Sequence, residues 1–225
     1  MKVIFWDFHA TLTLPERQWS KLLYDSIICH KHNVTMEEIR NHLRTGFTWD
    51  TPEIAYAEST GDKWWDNLFV HFDSFYEKHD ISKADSEIIN DYYKKQIIDS
   101  KNYTLYDDTL ATLRACIAMG YKNYVLSNNF PELGAVVAGM GMSEYFLDCI
   151  VSGNVGYEKP RKEIFQHALQ VAGFPDVCYM VGDNPIADIQ GGKSVGMKTI
   201  LVHNDTICGA DYTCKNLSDI PLLLT

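Results

Sequence analysis

Val3-Ile4-Phe5-Trp6-Asp7-Phe8-His9-Ala10-Thr11 carries four bulky apolar residues straight into an aspartate, with a histidine two positions on. A short, unbroken apolar run of β-branched and aromatic residues is the pattern of a strand covered on both faces. Residues 2–7 are therefore expected to form an inner strand with a carboxylate at its carboxyl end. Further strands are expected in "KNYVLSN" (122–128), "VCYMVGD" (177–183) and "KTILVH" (198–203), with a short apolar stretch "YFLDCIVSG" (145–153). Helices are expected over 107–120, capped by Asp107 or Asp108 and stopped by Gly120, after Pro131, over 160–173 and over 185–196. Alternating strands and helices predict an α/β fold, a Rossmann-like parallel sheet with helices on both faces.

Between these parts the chain changes character. Residues 15–98 are aromatic-rich, show helical spacing and contain no convincing strand. "TMEEIRNHLR" opens with Thr35 and Glu38 in capping-box positions, "KWWDNLFVHFDSFYEKH" places Trp64, Leu68, Phe72 and Phe75 on one face, and "SEIINDYYKKQII" continues the pattern. The expected organisation is an α/β core from 1–14 and 99–225, with an all-helical cap domain, 15–98, inserted in it.

Composition narrows the function. A formal charge of −10 argues against a nucleic-acid surface, so anionic ligands must be met by a few placed cations or a metal. The six cysteines form no CxxC pair, and Cys208 and Cys214 near His203 are weaker as metal ligands than as isolated thiols. Four apolar residues before Asp7 are too few for a signal sequence, and no run approaches the ~20 residues of a membrane span. A cytoplasmic protein with no membrane or nucleic-acid partner is expected; the oligomeric state is not readable.

In parallel sheets ligands sit outside the carboxyl ends of the strands. Asp7, Ser127 with Asn128, and Asp183 each end a strand and so converge on one rim. One strand-end aspartate is usually a cap or turn former; three polar strand ends together indicate a site. Asp7 there suits a nucleophile, a metal ligand or both. Asp183 would crowd it with like charge unless a cation intervenes, and an all-oxygen donor set suits Mg²⁺. Ser127, Asn128 and Asn129 offer polar groups to an anion. Lys159, before Pro160 at an expected helix start, reaches the rim if its loop folds back, and Asp188 is placed to hold the lysine or a metal-bound water.

"WDFHATLT", "YVLSNN", "VGYEKPRKEIF" and "MVGDNPIADIQGGKSVGMKTILV" resemble, in order, the four motifs of the haloacid dehalogenase superfamily, and the helical insertion resembles the cap of its phosphoglycolate-phosphatase-like branch. The resemblance implies a Mg²⁺-dependent phosphatase of a small phosphorylated metabolite in which Asp7 forms an aspartyl-phosphate. It implies a metal held by Asp7, the His9 carbonyl and Asp183, phosphoryl contacts from Thr11, Ser127, Asn128 and Lys159, and Asp188 behind them. The family pattern Asp-x-Asp-Gly-Thr reads Asp7-Phe8-His9-Ala10-Thr11 here. His9 thus stands where the acid/base aspartate belongs, as its substitute or in a structural or specificity role. Ala10 replaces a glycine and carries strain if its φ is positive.

Other readings are weaker. "IQGGKS" lacks the first P-loop glycine, which falls on Ala187. A dehalogenase needs no metal carboxylate like Asp183, and a phosphonatase needs a cap lysine, for which only Lys21, Lys31 and Lys63 present themselves. A non-catalytic phospho-ligand binder would not need Asp7, Lys159 and Asp183 together. The Trp49, Trp64, Trp65 and Tyr56 cluster is expected to be cap core rather than pocket, His30 and His32 a solvated face, and Arg44 a surface residue rather than a substrate contact.

Overall fold

The computed structural model describes residues 1–15 and 18–224; positions 16, 17 and 225, at the start of the expected insertion and the end of the expected core, lie outside it. Strand β1 (Lys2–Trp6) is followed by helices α1 (Gln18–Cys29), α2 (Met36–His42), α3 (Asp62–Lys78) and α4 (Lys83–Ile97). Then come α5 (Thr109–Ala118), β2 (Tyr121–Ser127), α6 (Leu133–Gly139), β3 (Cys149–Val151), the one-turn α7 (Ser152–Val155), α8 (Lys162–Val171) and β4 (Val177–Gly182). A π-wound segment, Pro185–Gln190, runs into α9 (Gly191–Lys193), and β5 (Lys198–Val202), β6 (Tyr212–Cys214) and α10 (Ile220–Leu223) close the chain.

The strands form one parallel sheet in the order β3-β2-β1-β4-β5-β6. Its middle strand is the opening apolar run, covered on both faces as a parallel sheet requires. Val3 and Phe5 point into a cluster with Ile164, Phe165 and Met180, and Ile4 and Trp6 into a larger one on the other face. The Trp6 indole is fully buried, and its N–H is donated to Asn123 Oδ1 at 2.9 Å, so the ring brings no unsatisfied donor inside. Trp6 lies level with Val125 and Val181. That register puts Asp7, Ser127 and Asp183 within one step of each other along three adjacent strands.

Every regular element between Gln18 and Ile97 is helical. Both capping-box bonds of α2 are made, Glu38 N–H to Thr35 Oγ1 at 3.2 Å and Thr35 N–H to Glu38 Oε2 at 2.9 Å. Helix α3 buries Trp64, Leu68, Phe72 and Phe75 as its spacing predicts, with Trp65 and Tyr76 beside them. These residues join Ile4 and Trp6 in one continuous apolar cluster, and Trp19 and Trp65 reach Phe130 beyond the end of β2, at ring-centroid distances of 5.8 and 5.6 Å.

Three expectations are corrected, and one strand is added. Pro160 does not start a helix: α8 begins at Lys162, and Lys159 and Pro160, joined by a cis peptide, lie in the preceding loop. Asp108 precedes α5 without a side-chain capping bond, because its Oδ2 accepts the Ser218 N–H at 2.9 Å. The 185–196 helix begins with π winding. Strand β6, three residues long, carries too little pattern to be seen in sequence.

Candidate active site

Beyond Trp6 the chain leaves the sheet in a tight turn. The Phe8 carbonyl accepts from Leu12 N–H at 3.0 Å and Thr13 N–H at 3.1 Å, and the His9 carbonyl lies outside that pattern. Ala10 holds φ at 55°, in the left-handed region that disfavours a Cβ, so the glycine-to-alanine departure does carry strain. Asp7 is anchored by its own N–H to the Val181 carbonyl at 2.9 Å.

Lys159 folds back onto this rim. Its Nζ, on a side chain 2% exposed, donates to Asp188 Oδ1 at 2.6 Å, Asp7 Oδ1 at 2.8 Å and the Leu126 carbonyl at 2.9 Å. All three ammonium donors are used, which a buried charge demands. Burial works against that charge, yet the Asp188 and Asp7 carboxylates hold its pKa above the ordinary lysine value. Asp188 also accepts the Asn184 N–H through Oδ2 at 3.0 Å. A Cβ on Gly182 would come within 2.1 Å of that oxygen, which explains the glycine at the end of β4.

Carboxylate oxygens of Asp7, Asp183 and Asp188 lie within 4.8 Å of one another. At an effective dielectric of ~20, two such charges repel by roughly 3 kcal/mol. Burial first, then Asp7 and Asp188, push the Asp183 pKa up to about 7. One ammonium does not neutralise three carboxylates. The excess negative charge, the oxygen-only donor set and a His9 carbonyl with no donor among the described residues fit a divalent cation held by Asp7, His9 and Asp183.

Two residues expected to touch the phosphoryl group also have protein partners. Thr11 is fully buried; its Oγ1 accepts the Asp183 N–H at 3.1 Å and donates to Asp183 Oδ1 at 3.3 Å, so it aims Asp183. The Asn128 side chain is occupied by Lys159, accepting its N–H at 2.6 Å and donating to its carbonyl at 2.9 Å. Ser127 lines the cavity above Asp7, and its hydroxyl has no partner among the described residues. The His9 ring leans on Phe8 and Tyr103, with centroids at 5.2 and 5.7 Å, and its Nε2 is sealed from solvent without a partner. Burial, against the pull of Asp7, lowers its pKa to about 4.

The cavity over the rim encloses about 1040 Å³ and takes its opposite wall from the helical segment. Trp49 and Arg44 line it, so neither is simply core or simply surface. Trp19, Phe47 and Arg40 line it too; no local pattern in the sequence marked them. Lys159 is its one lysine among the described residues: Lys21 pairs with Asp25 at 2.6 Å, and Lys31 and Lys63 stand outside. His203 lies apart from the cysteines in function, both ring nitrogens facing carbonyls, Lys215 O at 2.8 Å and Thr11 O at 3.2 Å. Arg44 apart, no cation other than Lys159 and Arg40 faces this space among the described residues.

A strand-end carboxylate locked to a buried ammonium, beside a second acidic strand end, is a hydrolytic site built on a parallel α/β sheet. The chain belongs to the haloacid dehalogenase-like hydrolases, whose family model matches residues 1–196. It is 32% identical over 207 residues to human haloacid dehalogenase-like hydrolase domain-containing protein 3, covering 90% of this chain and 82% of that protein. A phosphoserine phosphatase from Thermus thermophilus is 32% identical over 106 residues, 46% of this chain and 43% of that one. Among solved structures, the HAD-hydrolase YfnB from Bacillus subtilis, bound to magnesium, superposes with a TM-score of 0.77 at 17% identity, covering 99% of this chain and 97% of the other. No helix among the described residues is long and apolar enough to cross a membrane.

Proposed function

We propose that this hydrolase is a Mg²⁺-dependent phosphatase of small phosphorylated metabolites, working through an aspartyl-phosphate on Asp7. The observation that carries the reading is the Lys159 ammonium bound at once to Asp7 and Asp188, with Asp183 against them. A carboxylate held this way points at an incoming phosphorus, and the ammonium is already placed for the charge on its equatorial oxygens. Matches to phosphatases, including the one from Thermus thermophilus, support the same chemistry.

In the first displacement an Asp7 oxygen attacks phosphorus, the ester P–O bond breaks, and the leaving oxygen takes up a proton that comes ultimately from solvent. In the second, water attacks the aspartyl-phosphate, phosphate departs and the Asp7 carboxylate is restored. Ser127 and Lys159 bind the phosphoryl oxygens; Asn128, Thr11 and Asp188 position Lys159 and Asp183. When bound, Mg²⁺ neutralises carboxylate and phosphoryl charge. His9, two residues beyond Asp7 where the family carries its acid/base group, is the residue we assign to proton transfer.

In this reading residues 15–98 act as a cap over a core of 1–14 and 99–225, excluding bulk water and choosing the leaving group. The test is phosphate release from a generic aryl phosphate. Turnover with Mg²⁺ that is lost with EDTA and with Asp7→Asn is expected; turnover that survives Asp7→Asn overturns the mechanism.

A further inference from the structure

We propose that the leaving group carries a planar heteroaromatic ring, as in a nucleoside monophosphate, stacked on Trp49 and Trp19 and met at its edge by Arg44. The proposal rests on the phosphatase reading and names the substrate class of that same cavity.

The wall opposite Asp7 is a ladder of rings. From the His9 ring it is 6.3 Å to Trp19 and a further 5.3 Å to Trp49, and Trp49 lies 4.3 Å from Phe47 in a parallel stack. The bland explanation, that these rings are packing, describes Trp64 and Trp65, each 2% exposed, with the Trp65 indole donating to Glu132. It accounts for only part of Trp19 and Trp49, which pack against Phe47 and Trp64 yet also line the cavity. Both are only partly buried, both line the cavity, and neither indole N–H has a partner among the described residues. Aromatic surface left exposed on a cavity wall can receive another flat ring.

Arg40 and Arg44 stand one helical turn apart, exposed and lining the same space, with no ion-pair partner among the described residues. On a chain of net charge −10, two unpaired arginines beside an aromatic wall are not a solvated face by default. A guanidinium offers a planar fork of donors that matches the acceptor edge of a nucleobase. A cavity of about 1040 Å³ is generous for a two- or three-carbon phosphate and roomy enough for a nucleotide. Hydrolysis would then release a nucleoside and phosphate for each water consumed.

The experiment compares AMP with ribose 5-phosphate in the presence of Mg²⁺. The two share the same ester and the same leaving oxygen, so only the base differs. Stacking is expected to raise kcat/KM for AMP by roughly five- to a hundredfold. Trp49→Leu should bring that ratio close to one, and Trp49→Phe, which keeps a ring, should restore most of it. Tryptophan fluorescence of Asp7→Asn should be quenched by AMP and not by ribose 5-phosphate. Equal kcat/KM for the two esters overturns the proposal and leaves the phosphatase reading standing. If neither ester turns over and AMP still quenches, the phosphatase reading falls while the ring site stands; without turnover or quenching both fall.

Discussion

His9 and Ala10 are the two places where this chain departs from its family's first motif, and they call for different tests. The buried Nε2 of His9 has no hydrogen-bond partner among the described residues, and in the proposed mechanism His9 carries a proton. In that role its removal costs ~10²–10⁴-fold in rate. The pH–rate profile of His9→Ala on an aryl phosphate should therefore lie far below that of the wild type; superimposed profiles assign His9 a packing role against Phe8 and Tyr103 instead. Ala10 at φ 55° stores backbone strain that glycine would not. Ala10→Gly should gain up to about 1 kcal/mol, less the greater entropy glycine brings to the unfolded chain. Thermal unfolding reads the sign, and a clear loss would show that the Ala10 methyl packs better than it strains.

The loop that delivers Lys159 is also where the helical segment meets the sheet. Tyr56 N–H donates to the Gly156 carbonyl at 2.8 Å and Gly61 N–H to the Gly153 carbonyl at 2.9 Å. Arg161 Nη1 donates to the Glu53 carbonyl at 2.7 Å, and Thr48 Oγ1 donates to Glu158 Oε1. Glu158 is 2% exposed, its Oε2 has no partner among the described residues, and burial pushes its pKa up to about 7. Its folded pKa lies above the unfolded value of ~4.3, so the folded protein holds the extra proton and loses stability as pH rises from about 4 through 7. Glu158→Gln abolishes that loss. Its stability should match the wild type near pH 4 and exceed it at pH 8 by on the order of 3 kcal/mol, read as a higher melting temperature. A difference independent of pH would mean that Glu158 does not titrate in this window. Nothing in "YEKP" announces the latch, because its partner Thr48 is 110 residues away.

Asp7, Asp183 and Asp188 gather negative charge that the folded chain alone neutralises with one lysine. The consequence reaches global stability. With its pKa near 7, Asp183 in the proposed metal site would have to shed a proton to bind, and metal affinity is then expected to rise with pH across that range. Mg²⁺ should raise the melting temperature more at pH 8 than at pH 5.5, and Asp183→Asn should remove the response. An equal shift at both pH values would take Asp183 out of the metal site. Removing the cation of the cluster is expected to be the harsher change. Lys159→Met leaves Asp7 and Asp188 buried and unpaired, a loss of about 3–5 kcal/mol, and denaturant titration measures it.

The apolar runs ending in Asp7, Ser127 and Asp183 determined the strands, the parallel α/β sheet and the meeting of those three residues at one rim. Periodicity and the strand-end rule are local properties that any reader of the chain can extract. The tertiary structure alone decided who pairs with whom. Thr11 serves Asp183, Asn128 serves the Lys159 backbone, and Trp19 and Phe47 join Trp49 around the cavity. The physical reason is distance along the chain. Lys159 and Asp7 are 152 residues apart, and whether an ammonium meets a carboxylate at 2.8 Å depends on loop paths that no repeat or pattern encodes.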